Sequence, residues 1–301
     1  MSAPREAAAT GPAFLEDALR RALGDPGLRI LATEPVSGGC IHHAVKLSTT
    51  SGEWFAKWNT GCAPDLFASE AAGLRALREA ASSLAVPEVL VASAPGASHP
   101  AFILMEYLAP ARAAAGDDAV LGRGLAAVHA RSSDRFGFPV TTYCGPTAQV
   151  NAEAATWVEF YGERRLRSLA LRLETEGRIG AAERRLVERV VERLPALVPP
   201  ATLPSLVHGD LWSGNVLATT RGPGLVDPAA AFCDREMEFG ITTLFGGFSE
   251  RFFDAYHEAW PLPPAWRERN ALYQLYHLLN HHLIFGGHYG SEALSIARRF
   301  A

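Results

Sequence analysis

Four polar residues, His208, Asp210, Asn215 and Asp227, lie in one short and otherwise apolar stretch of the 301-residue sequence. A buried carboxylate destabilises a fold unless a cation neutralises its charge. Carboxylate and amide oxygens, together with water and phosphate, are the ligands that Mg²⁺ prefers. The stretch therefore predicts a metal site, and Mg²⁺ is the ion that these side chains suit.

The order and spacing of these residues are typical of the catalytic and metal-binding loops of kinases. Asn215 follows Asp210 by five positions, and Asp227 comes twelve positions later, after an apolar Gly-Leu-Val run. In kinases the first Asp orients the acceptor hydroxyl, while the Asn and the second Asp hold Mg²⁺. We therefore predict Asp210 as the catalytic residue and Asn215 and Asp227 as metal ligands, with Gly214 permitting the tight turn between them. Each could separately be a turn residue, but their joint order favours the kinase interpretation.

Only two of the 28 basic residues are lysines, Lys46 and Lys57, which makes a lysine here a candidate for chemistry. Lys57 lies in the strand-like run Trp-Phe-Ala-Lys-Trp-Asn, where a period of two directs its side chain to the face opposite its immediate neighbours. We predict that Lys57 binds nucleotide phosphates and that Glu70, on the following helix, pairs with it. A solvated helical carboxylate is the alternative interpretation of Glu70.

A glycine pair precedes this strand in the run Ser-Gly-Gly-Cys. Gly38 and Gly39 have no side chains, so their backbone N–H groups can approach a phosphate closely. A plain hairpin turn is the alternative interpretation. Cys40 follows directly, and N–H groups near it would favour a thiolate. We therefore consider a redox-dependent dimer through Cys40, with an inert thiol as the alternative.

Three further groups of residues are candidates for binding. Glu106, Tyr107 and Leu108 end a predicted strand where exposed backbone between two lobes would meet adenine. Four residues could contact the acceptor, although core packing explains the aromatic ones equally well: Trp212, Asn151, Trp157 and Arg164. His277 and His281 have an i, i+4 spacing that could bind zinc, but no carboxylate accompanies them at ligand spacing, which favours helix packing.

Hydrophobic periodicity predicts an α+β protein with two lobes and a protein-kinase-like fold. Residues 1–107 read as a nucleotide-binding lobe, a small antiparallel sheet with one main helix. Residues 108–301 read as a larger, mostly helical lobe for catalysis and substrate binding, with short strands around the Asp210 stretch. The clearest predicted helices span residues 12–24, 64–81, 118–130, 151–176 and 181–194, and further helices follow residue 234.

Composition narrows the function classes. A net charge of −4 and a pI near 6.2 supply no basic field, which argues against nucleic acid and anionic membranes as partners. No apolar run approaches the roughly 18 residues of a membrane span, and the N-terminus has no signal-peptide pattern. Four cysteines without a Cys-x-x-Cys pair favour reduced thiols. We expect a cytoplasmic protein, monomeric unless Cys40 is oxidised, that acts on a small or neutral substrate.

The segments His208–Asn215, Val226–Glu236, Leu244–Phe248, Cys144–Asn151 and Leu279–Gly290 resemble the fructosamine kinase, or ketosamine-3-kinase, family. This resemblance implies ATP-dependent phosphorylation of the 3-hydroxyl of a ketoamine, either a small molecule or a glycated protein, in a reaction that serves deglycation. The sequence departs from the family pattern at His42, at His43 and in the run Asp-Arg-Glu-Met-Glu-Phe-Gly, which bears on substrate choice.

Two other functions are compatible with parts of the pattern. A small-molecule kinase for an amino sugar, an aminoglycoside or a choline-like alcohol would share the Asp210–Asn215 spacing, though not typically the Trp-Ser-Gly insert. A catalytically inactive nucleotide-binding scaffold would be expected to lack Lys57, Asp210 or Asp227, and the sequence retains all three. A protein-kinase substrate is disfavoured, since only six positions separate Asp227 from the next acidic residue, at the start of a predicted helix.

Overall fold

The structure, a computed structural model, describes residues 13–36 and 42–301. It confirms the predicted α+β class, because a five-stranded antiparallel sheet precedes a mainly helical part. The strands are β1 (Ile30–Pro35), β2 (His43–Thr49), β3 (Gly52–Asn59), β4 (Val89–Ser93), β5 (Ala101–Glu106), β6 (Thr142–Cys144), β7 (Thr147–Gln149), β8 (Ser205–Val207), β9 (Val216–Thr219), β10 (Gly222–Leu225) and β11 (Ala231–Cys233). The helices are α1 (Ala13–Leu23), α2 (Leu66–Ala80), α3 (Asp117–Ala130), α4 (Trp157–Glu159), α5 (Ser168–Thr175), α6 (Ala181–Leu197), α7 (Glu236–Leu244), α8 (Glu250–Ala259), α9 (Trp266–Phe285) and α10 (Tyr289–Phe300).

The five-stranded sheet has the order β1-β2-β3-β5-β4, so β3 lies at its centre. Lys57 is on β3, where it pairs with Ala44 of β2 and Ile103 of β5. Alternation along β3 sends Ala56 into the core on the α1 side, while Lys57 faces the opposite side, where α2 packs. The central position therefore holds Lys57 rigidly on the side of the sheet that carries Glu70.

One hydrophobic core connects the sheet to the helical part. It joins Phe67 of α2 and Ile103 of β5 to Leu125 of α3 and Phe252 of α8. A second core lies within the helical part and contains most of the buried side chains of α5, α6, α9 and α10. Helix α2, which precedes residue 107, packs in the core that connects the sheet to the helical part. The predicted boundary between two lobes after residue 107 therefore stays a prediction.

The predicted helix over residues 151–176 begins six positions later, at Trp157. Thr156 caps it, since its hydroxyl accepts a hydrogen bond from Glu159 N at 3.2 Å. The residues before the cap are extended instead, and Ala154 exchanges backbone hydrogen bonds with Phe136. The helix also contains a π-helical segment, Phe160–Arg167, between α4 and α5.

A short hairpin, β6–β7, interrupts the part of the chain that was expected to be mainly helical. It places Cys144 at the end of β6 and next to helix α9, where Asn280 Nδ2 donates a hydrogen bond to the Cys144 carbonyl oxygen at 3.3 Å.

In the described part of the chain, no helix is long and apolar enough to cross a bilayer. Cys62, Cys144 and Cys233 are free thiols.

Candidate active site

The loop that carries Asp210 follows strand β8 and turns sharply at Gly209. Gly209 has a φ of 82°, in the left-handed region. A Cβ atom there would lie 2.2 Å from the Ala229 carbonyl oxygen. Only glycine meets both conditions, so Gly209 allows the turn that follows the buried strand and leads into Asp210.

Glu238 holds this loop in place and was not identified from the sequence. Its carboxylate accepts hydrogen bonds from His208 N at 2.5 Å and from Gly209 N at 3.0 Å. Glu238 is 1% exposed, so no water competes for these bonds. Burial alone would raise the pKa of Glu238, but interactions with His129 and His208 hold it below its usual value. The run that departs from the family pattern thus includes a residue that supports the loop carrying Asp210.

His208 links the loop that carries Asp210 to the loop that carries Asp227. Its Nδ1 accepts from Asp210 N at 3.3 Å, which leaves Nε2 as the protonated nitrogen that donates to the Val226 carbonyl oxygen at 2.9 Å. Burial lowers the pKa of His208, so the ring is neutral and both bonds persist at pH 7. Asp210 and Asp227 are therefore held by one side chain that lies between their loops.

Lys57, Glu70 and Asp227 form an ionic triad in which Lys57 and Glu70 are buried, and the predicted pairing of Lys57 with Glu70 is present. Lys57 Nζ lies 2.6 Å from a carboxylate oxygen of each acid. Burial opposes the charge on Lys57, yet the two acids raise its pKa above the usual value. Burial also raises the pKa of Asp227, but Lys57 outweighs it and the net shift is downward. With all three groups ionised the triad carries a net charge of −1, which suits a divalent cation.

Asn215 and Asp227 suit the role of Mg²⁺ ligands. Strand β9 pairs Val216 with Leu225 of β10, and Val226 N donates to the Asn215 carbonyl oxygen at 3.2 Å. Asn215 Nδ2 donates to the Asp210 carbonyl oxygen at 2.9 Å, which leaves Asn215 Oδ1 as the end of the amide that can bind a cation. The Asp227 side chain is 49% exposed and its φ is +56°, a strained value for a non-glycine residue. These oxygens match the donor set of Mg²⁺.

Gly214 has a different role from the predicted one. The turn Ser213–Asn215 is a single 3₁₀ turn, and Gly214 does not have a positive φ. A Cβ atom on Gly214 would lie 2.1 Å from the indole ring of Trp212. Gly214 is therefore needed to make room for Trp212, which lies over it and lines the cavity described next.

A cavity of about 380 Å³ lies between the sheet and the helical part. Lys57, Glu70, Asp210, Asn215 and Asp227 all line it, so the structure brings the predicted chemical groups together. The remainder of the wall is largely apolar and aromatic, and includes Trp212, Phe245, Ile284, Phe285 and Tyr289. Of the residues that depart from the family pattern, His42 lines the cavity, whereas His43 stacks on Trp58 at 5.2 Å.

Asp210 has an unusual protonation equilibrium. Burial is the main cause that raises its pKa to about 7, and the carboxylates of Asp227 and Glu238 act in the same direction. Hydrogen bonding to Cys144 and Asn215 counteracts part of this rise. A carboxylate with a pKa near neutrality can exchange a proton with an acceptor hydroxyl more readily than an ordinary Asp.

Asn151, Trp157 and Arg164 do not line this cavity, so their contact with an acceptor stays a prediction. Asn151 is buried, and its Oδ1 accepts from Arg165 Nη2 at 2.6 Å. Trp157 is also buried and stacks on Tyr161 with ring centroids 5.1 Å apart. The helix directs its aromatic face into the core of the helical part, which is the alternative that the sequence left open.

The predicted adenine-binding residues lie where β5 leaves the sheet. The Glu106 carboxylate is engaged by Arg221 at 3.1 Å and Arg78 at 3.4 Å, while Leu108 is buried. The Tyr107 ring lies beneath Lys46 Nζ at 5.0 Å. These three residues are not part of the 380 Å³ cavity, and their adenine contacts stay a prediction. Gly38, Gly39 and Cys40 lie outside the described residues.

Comparisons with known proteins identify the family of this chain. The family model for fructosamine kinase matches residues 16–300. The chain is 37% identical to protein-ribulosamine 3-kinase, chloroplastic, of Oryza sativa subsp. indica, covering 93% of this chain and 82% of the relative. It is 32% identical to ketosamine-3-kinase of Mus musculus, covering 95% of this chain and all of the relative.

A solved structure of a candidate fructosamine-3-kinase from Haemophilus somnus 129PT has the same fold. It superposes with a TM-score of 0.84 at 25% identity, covering 95% of this chain and 96% of that one. The similarity confirms the predicted kinase-like α+β fold. By its matching family model and by these relatives, the chain belongs to the fructosamine kinase family and is an ATP-dependent phosphotransferase.

Proposed function

We propose that this protein transfers the γ-phosphoryl group of ATP to the 3-hydroxyl of a ketosamine, a fructosamine or a ribulosamine, in a reaction that serves deglycation. The observation that carries the proposal is the convergence of Lys57, Asp210, Asn215 and Asp227 on one cavity. Membership of the fructosamine kinase family supports the ketosamine as acceptor. The acceptor is either a free ketoamine or one attached to a protein.

Each side chain has a defined part in this reaction. Asn215 and Asp227 would hold Mg²⁺, and Lys57, paired with Glu70, would contact the phosphates. ATP with Mg²⁺ supplies the phosphoryl group and neutralises the charge on it. Asp210 accepts the proton of the acceptor hydroxyl and orients its oxygen. Positioning and charge neutralisation, rather than a covalent intermediate, would then account for most of the rate enhancement.

The wall of the cavity favours a ketosamine over an aminoglycoside. Its described lining contains three carboxylates, and all three belong to the catalytic groups: Glu70, Asp210 and Asp227. An aminoglycoside carries several positive charges, and burying them would require additional anionic partners. A ketosamine carries one amine, and the aromatic rim that includes Trp212 and Phe245 can contact it through cation–π interactions.

A panel of acceptors tests the proposal. Purified protein is incubated with ATP, Mg²⁺ and either a fructosamine, a ribulosamine, an aminoglycoside or choline, and phosphorylated products are identified by mass spectrometry. We expect product from a ketosamine, and product formed at least 100-fold more slowly by the Asp210→Asn variant under the same conditions. Efficient phosphorylation of an aminoglycoside or choline, with none of either ketosamine, would refute the proposed acceptor.

A further inference from the structure

A second cluster of potential ligands lies in the wall of the same cavity. A side-chain donor atom from each of Cys144, Asp210 and His277 lies within 4.8 Å of the other two. The three residues come from different parts of the fold, namely the end of β6, the catalytic loop and helix α9. The sequence pattern offered His277 no carboxylate partner, whereas the tertiary structure brings Asp210 to it from 67 positions away.

His277 has a ring nitrogen that the protein leaves without a partner. The residue is 1% exposed, and no described group forms a hydrogen bond with its Nδ1. A buried polar atom without a partner destabilises the fold and calls for an explanation. Burial lowers the pKa of His277 to about 3, so the ring is neutral. A neutral imidazole is the form that binds metal ions.

The surrounding structure holds these donors in place before any ion binds. Asn280, one turn from His277 on α9, donates a hydrogen bond to the Cys144 carbonyl oxygen and so ties the hairpin to the helix. Asp210 is held through its backbone by His208 and through its side chain by Asn215. The cluster is therefore assembled from three rigid elements, and it opens on the cavity through Cys144 and Asp210.

The donor set suits Zn²⁺ rather than Mg²⁺. Sulfur and imidazole ligands select zinc among the common divalent ions, whereas Mg²⁺ requires oxygen ligands. Bond lengths of about 2.0 to 2.3 Å in a tetrahedral site place ligand atoms roughly 3.5 Å apart. Side-chain shifts of about 1 Å would reach that geometry from a cluster that already lies within 4.8 Å. Three protein ligands leave a fourth position free, as in open zinc sites.

We propose that Cys144, Asp210 and His277 form an inhibitory Zn²⁺ site that is distinct from the Mg²⁺ site at Asn215 and Asp227. When Zn²⁺ binds, the Cys144 thiol releases its proton to the solvent and the thiolate becomes a ligand; no oxidation or reduction takes place. An Asp210 oxygen bound to Zn²⁺ cannot accept the proton of the acceptor hydroxyl. The inhibitory effect rests on the proposed role of Asp210, whereas metal binding itself does not.

Binding is tested on the full-length protein without ATP or acceptor. Metal-free protein is titrated with Co²⁺, whose thiolate charge-transfer absorption reports a cysteine ligand, and Zn²⁺ affinity is measured by competition with a chromophoric chelator. We expect Cys144→Ser to abolish the charge-transfer band, and both Cys144→Ser and His277→Gln to weaken Zn²⁺ binding at least 10-fold, since even outer-shell substitutions cost about that much.

Matched controls distinguish this site from incidental binding. Cys62→Ser and His288→Gln change a thiol and an imidazole outside the cluster and should leave the Co²⁺ spectrum and Zn²⁺ affinity unchanged. The proposal is overturned if the wild-type protein shows no thiolate band, or if both cluster variants bind Zn²⁺ as tightly as the controls do. Either cluster variant suffices for the comparison if the other does not fold.

Inhibition is tested separately, at saturating Mg²⁺ and with a ketosamine as the varied substrate. Zn²⁺ should inhibit competitively against the ketosamine. The Zn²⁺ concentration that halves the uninhibited rate should be at least 10-fold higher for His277→Gln than for the wild-type protein, each rate being compared with that protein's own rate without Zn²⁺. Zn²⁺ binding without competitive inhibition would overturn the inhibitory role. Absence of ketosamine turnover in zinc-free protein would instead count against the proposed function, and the Co²⁺ spectrum would be unaffected by that outcome.

Discussion

Replacing Glu238 by Gln tests whether this buried carboxylate positions the catalytic loop. Glu238 accepts two hydrogen bonds from the backbone N–H groups of His208 and Gly209. Hydrogen bonds to charged groups contribute about 1.5 to 3 kcal/mol each. A Gln side chain keeps one oxygen, so one bond becomes neutral and weaker, while the other N–H faces an amide N–H₂. We therefore expect Glu238→Gln to lower the free energy of unfolding by about 3 kcal/mol.

The assay is urea unfolding followed by fluorescence and circular dichroism, combined with steady-state kinetics. Glu238→Asp serves as the matched control because it keeps the charge and shortens the side chain by one methylene, so its loss should be smaller. A displaced loop should lower kcat by roughly 10²-fold, the effect of a shift of about 1 Å in a catalytic group. The KM for ATP should change little, since Glu238 does not line the cavity.

The dependence on pH supplies a further check. The pKa of Glu238 lies below its usual value in the folded protein, so its contribution is present above the unfolded pKa of about 4.3. This contribution is lost as the pH falls through the folded pKa. The stability difference between wild type and Glu238→Gln should accordingly shrink in acid. A difference below about 0.5 kcal/mol at pH 7, the size of an ordinary surface substitution, would refute the reasoning.

Four other predictions follow from the site. Asp210→Asn should lower kcat at least 100-fold, the range usual for loss of a general base, while calorimetry shows unchanged ATP binding. Because Asp210 must be ionised to accept a proton and its pKa is about 7, kcat/KM for the acceptor should rise with pH through this region; a profile flat from pH 5 to 9 would contradict the assignment. Lys57→Met should weaken ATP binding and lower the melting temperature, since it leaves Glu70 buried without its cation; a melting temperature equal to that of wild type would argue against the triad. Gly209→Ala should reduce the yield of folded protein, because its Cβ would lie 2.2 Å from the Ala229 carbonyl oxygen; a fully folded, active variant would exclude the proposed constraint.

The sequence predicted the central chemical groups because each carries a signal of its own. Lys57 is conspicuous in a chain that otherwise uses arginine, and its pairing with Glu70 is observed at 2.6 Å. A short turn connects Asp210 to Asn215, and the β9–β10 hairpin connects Asn215 to Asp227, so local structure relates all three residues. Local spacing can be read from the sequence because few conformations connect residues so close together.

The same approach failed where a residue's role depends on distant contacts. Glu238 contacts a loop 29 and 30 positions away, and nothing in its own helix indicates which backbone groups it will meet. Asn151 and Trp157 were assigned to the pocket because polar and aromatic residues suit a binding wall. In the structure both side chains are buried, where Asn151 bonds to Arg165 and Trp157 stacks on Tyr161, and their contact with an acceptor stays a prediction.

By itself, the sequence determined which side chains are available for phosphoryl transfer and in what order they follow one another, since these are properties of residue type and local spacing. The tertiary structure alone decided that Lys57 of a central strand meets Asp227 of a distant loop, and that Cys144 and His277 reach Asp210. The reason is physical: a long-range contact depends on how whole elements pack, and packing reflects the summed burial of many side chains rather than the identity of the two that meet.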